Sequence, residues 1–205
     1  MLNVGGVTAF TTIDYPGELA AVVFCSGCPW RCGYCHNRHL WESTKEGAVP
    51  WDEILAFLRR RRGLLDAVVL SGGEPTMQPG LADAARVLKG LGYNVGLHTA
   101  GPFPERLSDV LPFLDWVGMD IKAPFEEYEA VTSVPGSGEA ARESAQRVRR
   151  SGVRHRFRTT VDPFLSKDGR LDRLRRMMEE WGSEFDLQPL TGRAVPPGPK
   201  GEERR

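Results

Sequence analysis

Cysteine is absent from this 205-residue chain except in one short stretch, which holds Cys25, Cys28, Cys32 and Cys35. Disulfides that stabilise a fold join distant segments, so this clustering argues against a disulfide framework. Net charge is absent too: lysine plus arginine and aspartate plus glutamate number 27 each, so nothing favours nucleic acid or an anionic membrane as a partner. We therefore expect a reduced, cytoplasmic protein.

Long apolar runs are also missing. No run approaches the length that spans a membrane, and residues 1–5 lack the basic and apolar regions of a secretory signal. Apolar residues still make up 40% of the chain, which predicts a buried core. Arginine is dense at residues 59–62 and 147–158. Solvated helix faces are the ordinary interpretation of such stretches, and docking of an acidic partner is the alternative.

Short apolar runs alternate with amphipathic segments along the chain, which predicts strands alternating with helices. The predicted strands are residues 19–24, 67–70, 94–97, 116–121, 155–161 and 185–188, and the predicted helices are residues 51–62, 79–91, 104–113, 139–151 and 171–181. Such alternation favours parallel strands, and the units are too few for a full eight-unit barrel. We expect an α/β fold, a partial (β/α)6 barrel of parallel strands, over residues 1–193, with a disordered tail at residues 194–205.

Three of the cysteines, Cys28, Cys32 and Cys35, have C-x3-C-x2-C spacing directly after the first predicted strand. Three thiolates are one fewer than the four that usually close an iron–sulfur cluster, so one iron remains open to another ligand. A zinc site that includes Cys25 is the alternative, but zinc sites usually combine two separated ligand pairs and no second pair exists here. Cys25 itself is interpreted as a small packed residue or as an auxiliary ligand.

A second candidate motif, the run from Ser71 to Pro75, follows the second predicted strand. Gly72 and Gly73 lack side chains, so the backbone could approach a ligand closely. Glu74 adds a carboxylate that could receive an ammonium group. A plain strand-to-helix turn is the alternative interpretation.

Together these two motifs resemble the radical S-adenosylmethionine (SAM) superfamily, whose signatures are C-x3-C-x-aromatic-C, here with Tyr34 as the aromatic, and GGEP. Further segments are similar to the anaerobic ribonucleoside-triphosphate reductase activating proteins, which are glycyl-radical-enzyme activases. These segments are T-I-D-Y-P-G at residues 12–17, C-H-N at 35–37, G-L-L-D at 63–66, M-D-I-K-A-P at 119–124 and R-T-T-V at 158–161. The resemblance extends over residues 4–190 and implies the partial (β/α)6 radical SAM barrel.

The resemblance also implies roles for individual residues. Cys28, Cys32 and Cys35 would ligate a [4Fe-4S] cluster, and Gly72, Gly73 and Glu74 would hold the methionine end of SAM. The remaining expected cofactor contacts are Tyr34, Asn37, His98, Asp120 and Gln188, and Lys122 is a candidate catalytic residue. Asp120 is also a candidate ligand of the monovalent cation described in activases. Where activases often carry Asp-Thr, this chain has His98-Thr99, so one carboxylate of that cation site is missing.

The implied activity is reductive cleavage of SAM at the cluster, followed by formation of a glycyl radical on a partner enzyme. The implied partners are a class III ribonucleotide reductase and an electron donor such as flavodoxin or ferredoxin. A radical SAM enzyme acting on a small molecule, similar to 7-carboxy-7-deazaguanine synthase, is the alternative. A non-catalytic metal-binding module is a third possibility, which cofactor cleavage would exclude.

Overall fold

The computed structural model describes residues 1–43, 48–183 and 185–190, and within these ranges a single seven-stranded sheet runs in chain order. Its strands are β1 Val4–Thr11, β2 Ala20–Cys25, β3 Ala67–Gly72, β4 Asn94–Thr99, β5 Trp116–Asp120, β6 Arg154–Val161 and β7 Phe185–Pro189. The strands from β2 to β7 are all parallel. The predicted α/β fold with a partial barrel is therefore confirmed. The predicted tail at residues 194–205 lies outside the described residues.

Strand β1 adds an antiparallel edge that the sequence analysis does not predict. Val4 lies opposite Cys25 and Thr11 opposite Ala20, with irregular register between them. Gly5 and Gly6 interrupt the alternation of apolar and polar side chains that marks a strand, so the local pattern is weak. The strand exists because it pairs with β2, which is a tertiary contact.

Six α-helices occur in the described residues: α1 Trp51–Arg60, α2 Leu81–Gly90, α3 Pro104–Val110, α4 Tyr128–Thr132, α5 Ser137–Ser151 and α6 Arg170–Glu180. Five of them match predicted helices, and the short α4 was not predicted. Each long helix turns an apolar face to the core, as α1 does with the buried Ile54, Leu55 and Leu58. Within the described ranges, no helix has both the length and the apolar character needed to cross a membrane.

The inner side of the sheet has its own apolar cluster, formed around Tyr15 from the connection between β1 and β2. Tyr15 is 1% exposed and packs with Ala20, Ala67 and Trp116, its ring centre lying 5.6 Å from that of Trp116. Because Ala20, Ala67 and Trp116 each begin a strand, this cluster fills the barrel at the amino ends of the strands. The carboxyl ends remain as the place for a cavity.

The arginine-dense stretches fall mostly at the opposite end from that cavity. Arg59 and Arg60 end α1, which leads into the start of β3, and Arg149 and Arg150 lie at the end of α5, which leads into the start of β6. These residues therefore lie at the amino-end side of the sheet. Arg158 is different, because it lies far along β6 and reaches the cavity.

Candidate functional site

A cavity of about 340 Å³ lies at the carboxyl ends of the parallel strands. Its wall includes all the residues selected from the sequence, namely Cys28, Cys32, Tyr34, Cys35, Asn37, Gly72, Gly73, Glu74, His98, Asp120, Lys122 and Gln188. These residues come from separate segments that the parallel topology brings to one edge of the sheet.

The cysteine loop follows β2 and forms one wall of the cavity. Cys28 and Cys35 are half-buried, Cys32 is buried, and all are free thiols. Backbone hydrogen bonds shape the loop: the Cys28 amide donates to the Trp41 carbonyl at 3.0 Å, and the Cys35 amide donates to the Cys32 carbonyl at 3.1 Å. Cys25 is fully buried at the end of β2 and does not line the cavity. The cysteine set facing the cavity is thus Cys28, Cys32 and Cys35.

This donor set fits a [4Fe-4S] cluster with one iron left for another ligand. Among the described residues, no three His, Cys, Asp or Glu side chains converge closely enough to hold a single metal ion. A cluster does not require such convergence, because each thiolate binds a different iron atom. Burial, with a smaller effect of the Glu74 carboxylate, raises the pKa of Cys28 to about 12, so this thiol would lose its proton on binding iron.

The turn after β3 packs directly on the cysteine loop. Gly72 has φ +116°, and a Cβ there would lie 2.5 Å from the Cys25 backbone; a Cβ on Gly73 would lie 2.4 Å from the Gly27 carbonyl oxygen. The Gly73 amide donates to the Cys25 carbonyl and the Glu74 amide to the Gly27 carbonyl, each at 2.9 Å. The two glycines are therefore required by the approach of the chain to itself, whereas the sequence interpretation assigned them to the approach of a ligand.

Hydrogen bonds to Glu74 connect this turn to the end of β4. Its Oε1 accepts hydrogen bonds from the Thr76 amide and hydroxyl and from the Thr99 hydroxyl, and its Oε2 accepts one from the Ala100 amide at 2.9 Å. The residue is 1% exposed, and burial raises the pKa of its carboxyl although these hydrogen bonds oppose the shift. Because a carboxylate oxygen can accept two hydrogen bonds, Oε2 retains capacity for a second donor from the cavity.

Three charged side chains, Asp120, Lys122 and Arg158, line the cavity. Asp120 on β5 lies opposite Arg158 on β6 in the sheet register. Arg158 Nε lies 2.6 Å from Asp120 Oδ1, and Lys122 Nζ lies 3.6 Å from Asp120 Oδ2. Burial alone would raise the pKa of Asp120, but the two cations lower it to about 2. Asp120 is therefore ionised at neutral pH, and its charge is paired within the chain.

Lys122 connects this group to the cysteine loop. Its Nζ lies 5.7 Å from the centre of the Tyr34 ring, and its side chain is 12% exposed. Burial lowers the pKa of Lys122, but Tyr34, Cys32 and Asp120 together raise it well above its usual value. The side chain is thus a protonated donor at the cavity wall.

His98, at the end of β4, is a neutral imidazole. Burial and the nearby Arg158 guanidinium lower its pKa to about 4. His98 Nε2 lies 2.9 Å from the Asp14 carbonyl oxygen, which can only accept, and 3.4 Å from an Arg158 guanidinium nitrogen, which can only donate. The shorter contact favours the tautomer with the proton on Nε2. Nδ1 then faces the Ser71 hydroxyl at 3.5 Å as an acceptor. The missing carboxylate at this position is thus replaced by an uncharged ring.

Asn37 and Gln188 mark two further borders of the cavity. Asn37 follows Cys35 closely and its carbonyl accepts from the Leu40 amide at 2.9 Å. Gln188 is exposed on β7, opposite Thr160 of β6. Both residues line the cavity.

The cavity lining also contains residues that were not selected from the sequence, among them the charged Asp14 and Arg158. A signal existed for Arg158, because it lies on the predicted strand at residues 155–161, the next one after the strand that carries Asp120, and it begins the R-T-T-V segment. Asp14 lies in the T-I-D-Y-P-G segment, but nothing in that segment alone indicates that it would border a cavity. It reaches the cavity because the neighbouring Tyr15 enters the barrel, which local sequence does not reveal.

Comparisons with known proteins agree with this geometry. Residues 22–177 match the model of the Radical SAM superfamily. A putative glycyl-radical enzyme activating enzyme of Methanocaldococcus jannaschii is 29% identical over 187 residues, which cover 86% of this chain and 75% of the relative. The pyruvate formate-lyase-activating enzyme of Clostridium pasteurianum is 30% identical over 173 residues, covering 81% of this chain and 71% of the relative.

Among solved structures, Streptococcus suis SuiB bound to S-adenosylmethionine superimposes with a TM-score of 0.63. The match covers 83% of this chain and 40% of that protein at 16% sequence identity. At this identity the likeness supports the fold alone.

Proposed function

Because the chain belongs to the glycyl-radical-enzyme activases of the radical SAM superfamily, we propose that its partner is an anaerobic, class III ribonucleoside-triphosphate reductase. One observation carries this proposal. Segments 12–17, 35–37 and 119–124, which carry the resemblance to reductase activases, each contribute to the cavity through Asp14, Asn37 and Asp120. The chain therefore places its most specific segments beside the cysteine loop.

The family's cofactors, a [4Fe-4S] cluster and SAM, supply when bound a 5′-deoxyadenosyl radical that removes a hydrogen atom from a glycine of the partner. Cys28, Cys32 and Cys35 would hold the cluster. The turn at Gly72–Glu74 would hold the methionine end of SAM, with Glu74 Oε2 accepting from its ammonium group.

The cavity wall formed by Asp120, Lys122 and Arg158 would contact the other polar groups of the bound molecules. Lys122 stays protonated and can donate to an anionic or carbonyl oxygen, while Asp120 keeps both Lys122 and Arg158 in place. Tyr34 and the neutral His98 add uncharged surface around them, and Gln188 borders the cavity at the β7 edge. The monovalent cation stays a prediction, and Arg158 already pairs with one oxygen of its expected ligand Asp120.

The open edge of the sheet supports a macromolecular partner. Among the described strands, β1 and β7 are the two ends of the sheet and do not pair with each other. Gln188 on β7 lines the cavity, so the cavity extends to this edge. A glycine-bearing loop could enter there while the body of the partner stays outside. The electron donor would be a flavodoxin or a ferredoxin, and reduced thiols favour the cytoplasm as the compartment.

Electron paramagnetic resonance tests the proposal. Reconstituted protein, SAM, reductant and a class III reductase, mixed without oxygen, should give the doublet of a glycine-centred radical. The Cys32→Ala protein should give none, whereas Cys25→Ala, which changes a residue outside the cavity, should retain the signal. If wild-type protein cleaves SAM but leaves the reductase unmodified, the small-molecule alternative takes the place of this proposal.

A further inference from the structure

The outer face of the cysteine loop is rich in basic residues. In the segment from Cys25 to Trp41 the sequence has no aspartate or glutamate. The exposed residues of this segment are Arg31, His36, Arg38 and His39. The other residues of the segment, including the cysteines, are buried or half-buried. The exposed charged residue types within this segment are thus basic, but Glu42, the residue after it, is also exposed and pairs with the Arg31 guanidinium at 3.2 Å. The positive charge of this face therefore comes chiefly from Arg38.

Two of these residues are fixed against the backbone that carries the cysteines. The Arg31 guanidinium donates to the carbonyl oxygens of Cys28 and Trp30. The Arg38 guanidinium donates to the carbonyl oxygen of Gly33, between Cys32 and Cys35. Both arginines are therefore held in place at the loop, with less side-chain freedom to lose when a partner binds.

Trp41 contacts both arginines. The guanidinium carbons of Arg31 and Arg38 each lie 5.3 Å from the centre of its ring, within the range of cation–π contacts. Its carbonyl accepts the amide hydrogen of Cys28 at 3.0 Å, and the ring also borders the cavity. A group docked on this face is therefore separated from a cluster-binding cysteine by one residue and one hydrogen bond.

We propose that the face formed by Arg31, Arg38, His39 and Trp41 is the docking surface for an acidic one-electron carrier protein. The inference rests on the proposed function, because an activase of this family must receive an electron at its cluster. One electron leaves the carrier, which is oxidised by one electron, and enters the cluster, which is reduced by one electron. The acidic surface of the carrier pairs with Arg38, since Arg31 is already paired with Glu42, and docking places its redox group next to the cysteine loop.

The other arginine-rich surface does not meet these requirements. Arg59 and Arg60 are exposed at the end of α1, on the amino-end side of the sheet. The barrel lies between them and the cysteine loop, so a carrier docked there would be separated from the cluster by the full length of the strands. Arg59 therefore offers a matched control position.

The test measures binding as well as electron transfer, with an acidic flavodoxin as the probe. Titration calorimetry of oxidised flavodoxin into reconstituted protein gives the dissociation constant at low and at moderate salt. Arg38→Glu should raise that constant about tenfold and His39→Glu about threefold, while Arg59→Glu should leave it within about twofold. Wild-type binding should weaken with salt, as expected for exposed charges.

His39→Glu keeps the test decisive if Arg38→Glu disturbs the loop, because the His39 side chain is exposed and does not border the cavity. With this variant, SAM cleavage driven by reduced flavodoxin should slow by a similar factor, and cleavage driven by dithionite should be unchanged. Equal affinities in His39→Glu and wild type, or an equal loss in Arg59→Glu, would overturn the docking surface. Failure of wild-type protein to form a glycyl radical with dithionite would count against the proposed function instead.

Discussion

At the scale of single residues, the charges in the cavity are set by contacts between neighbouring strands. Asp120 owes its depressed pKa to Arg158 and Lys122, and His98 stays neutral because it is buried next to the same Arg158. The sequence reveals Asp120 and Lys122 as polar residues at a strand end. It does not reveal that Arg158 would reach them, because that depends on the register of β5 and β6.

The neutral state of His98 predicts a pH dependence of stability. The unfolded chain binds a proton at this residue below about pH 6.5, and the folded chain only below a pKa of about 4. Protons therefore favour the unfolded state in this window, and stability falls as pH falls from about 6.5 towards 4. The His98 contribution to this loss is on the order of 3 kcal/mol.

Urea unfolding of wild type and His98→Gln from pH 7.5 to 4.5 measures this contribution. His98→Gln should be less stable than the wild type at pH 7.5, because contacts with Asp14 and Ser71 are changed. The difference in free energy of unfolding between the two proteins should narrow as the pH falls, because only the wild type loses the His98 contribution. His39→Gln, an exposed control, should follow the wild-type profile. Parallel profiles for wild type and His98→Gln would show that His98 is not held neutral.

At the scale of elements, the sequence predicts those whose pattern is local. The parallel strands have continuous apolar runs, and the long helices have one apolar face, so their existence could be read directly. Strand β1 could not, because its glycines hide the pattern and its pairing with β2 is non-local. The same holds for Tyr15, whose place inside the barrel depends on Trp116 and Ala67, far away in the chain.

The turn after β3 also could be predicted only in part from the sequence. The sequence indicates that Gly72 and Gly73 permit a close approach, but it cannot say what approaches. In the structure the approaching group is the backbone of residues 25–27. The turn and the cysteine loop therefore form one unit, so damage to the turn should reach the cluster.

Gly73→Ala tests this coupling. The new Cβ would meet the Gly27 carbonyl, so we expect a loss of about 1–3 kcal/mol in stability and a parallel loss of bound iron and SAM affinity. Iron analysis, absorption spectra and calorimetry of the reconstituted protein give the three quantities. Gly90→Ala is the control, because a Cβ at the end of α2 meets nothing within 4 Å and alanine favours the helix. Full iron content with weakened SAM binding would restore the interpretation that the glycines serve the ligand.

At the scale of the whole molecule, the fold separates two surfaces. The cavity lies at the carboxyl ends of the strands and extends to the β7 edge, where the partner's glycine would enter. The basic face of the cysteine loop lies on the outside of the same end, where the electron carrier would dock. This arrangement would allow both partners to reach one centre from different directions.

In the proposed reaction the removed hydrogen atom comes from a glycine of a class III reductase, and isotope transfer measures its origin. A reductase made with α-deuterated glycine is incubated anaerobically with the protein, SAM and reductant, and the 5′-deoxyadenosine is analysed by mass spectrometry. We predict that 5′-deoxyadenosine gains one deuterium as the glycyl radical forms. Continued SAM cleavage that yields only unlabelled 5′-deoxyadenosine would show that the hydrogen atom comes from a different substrate.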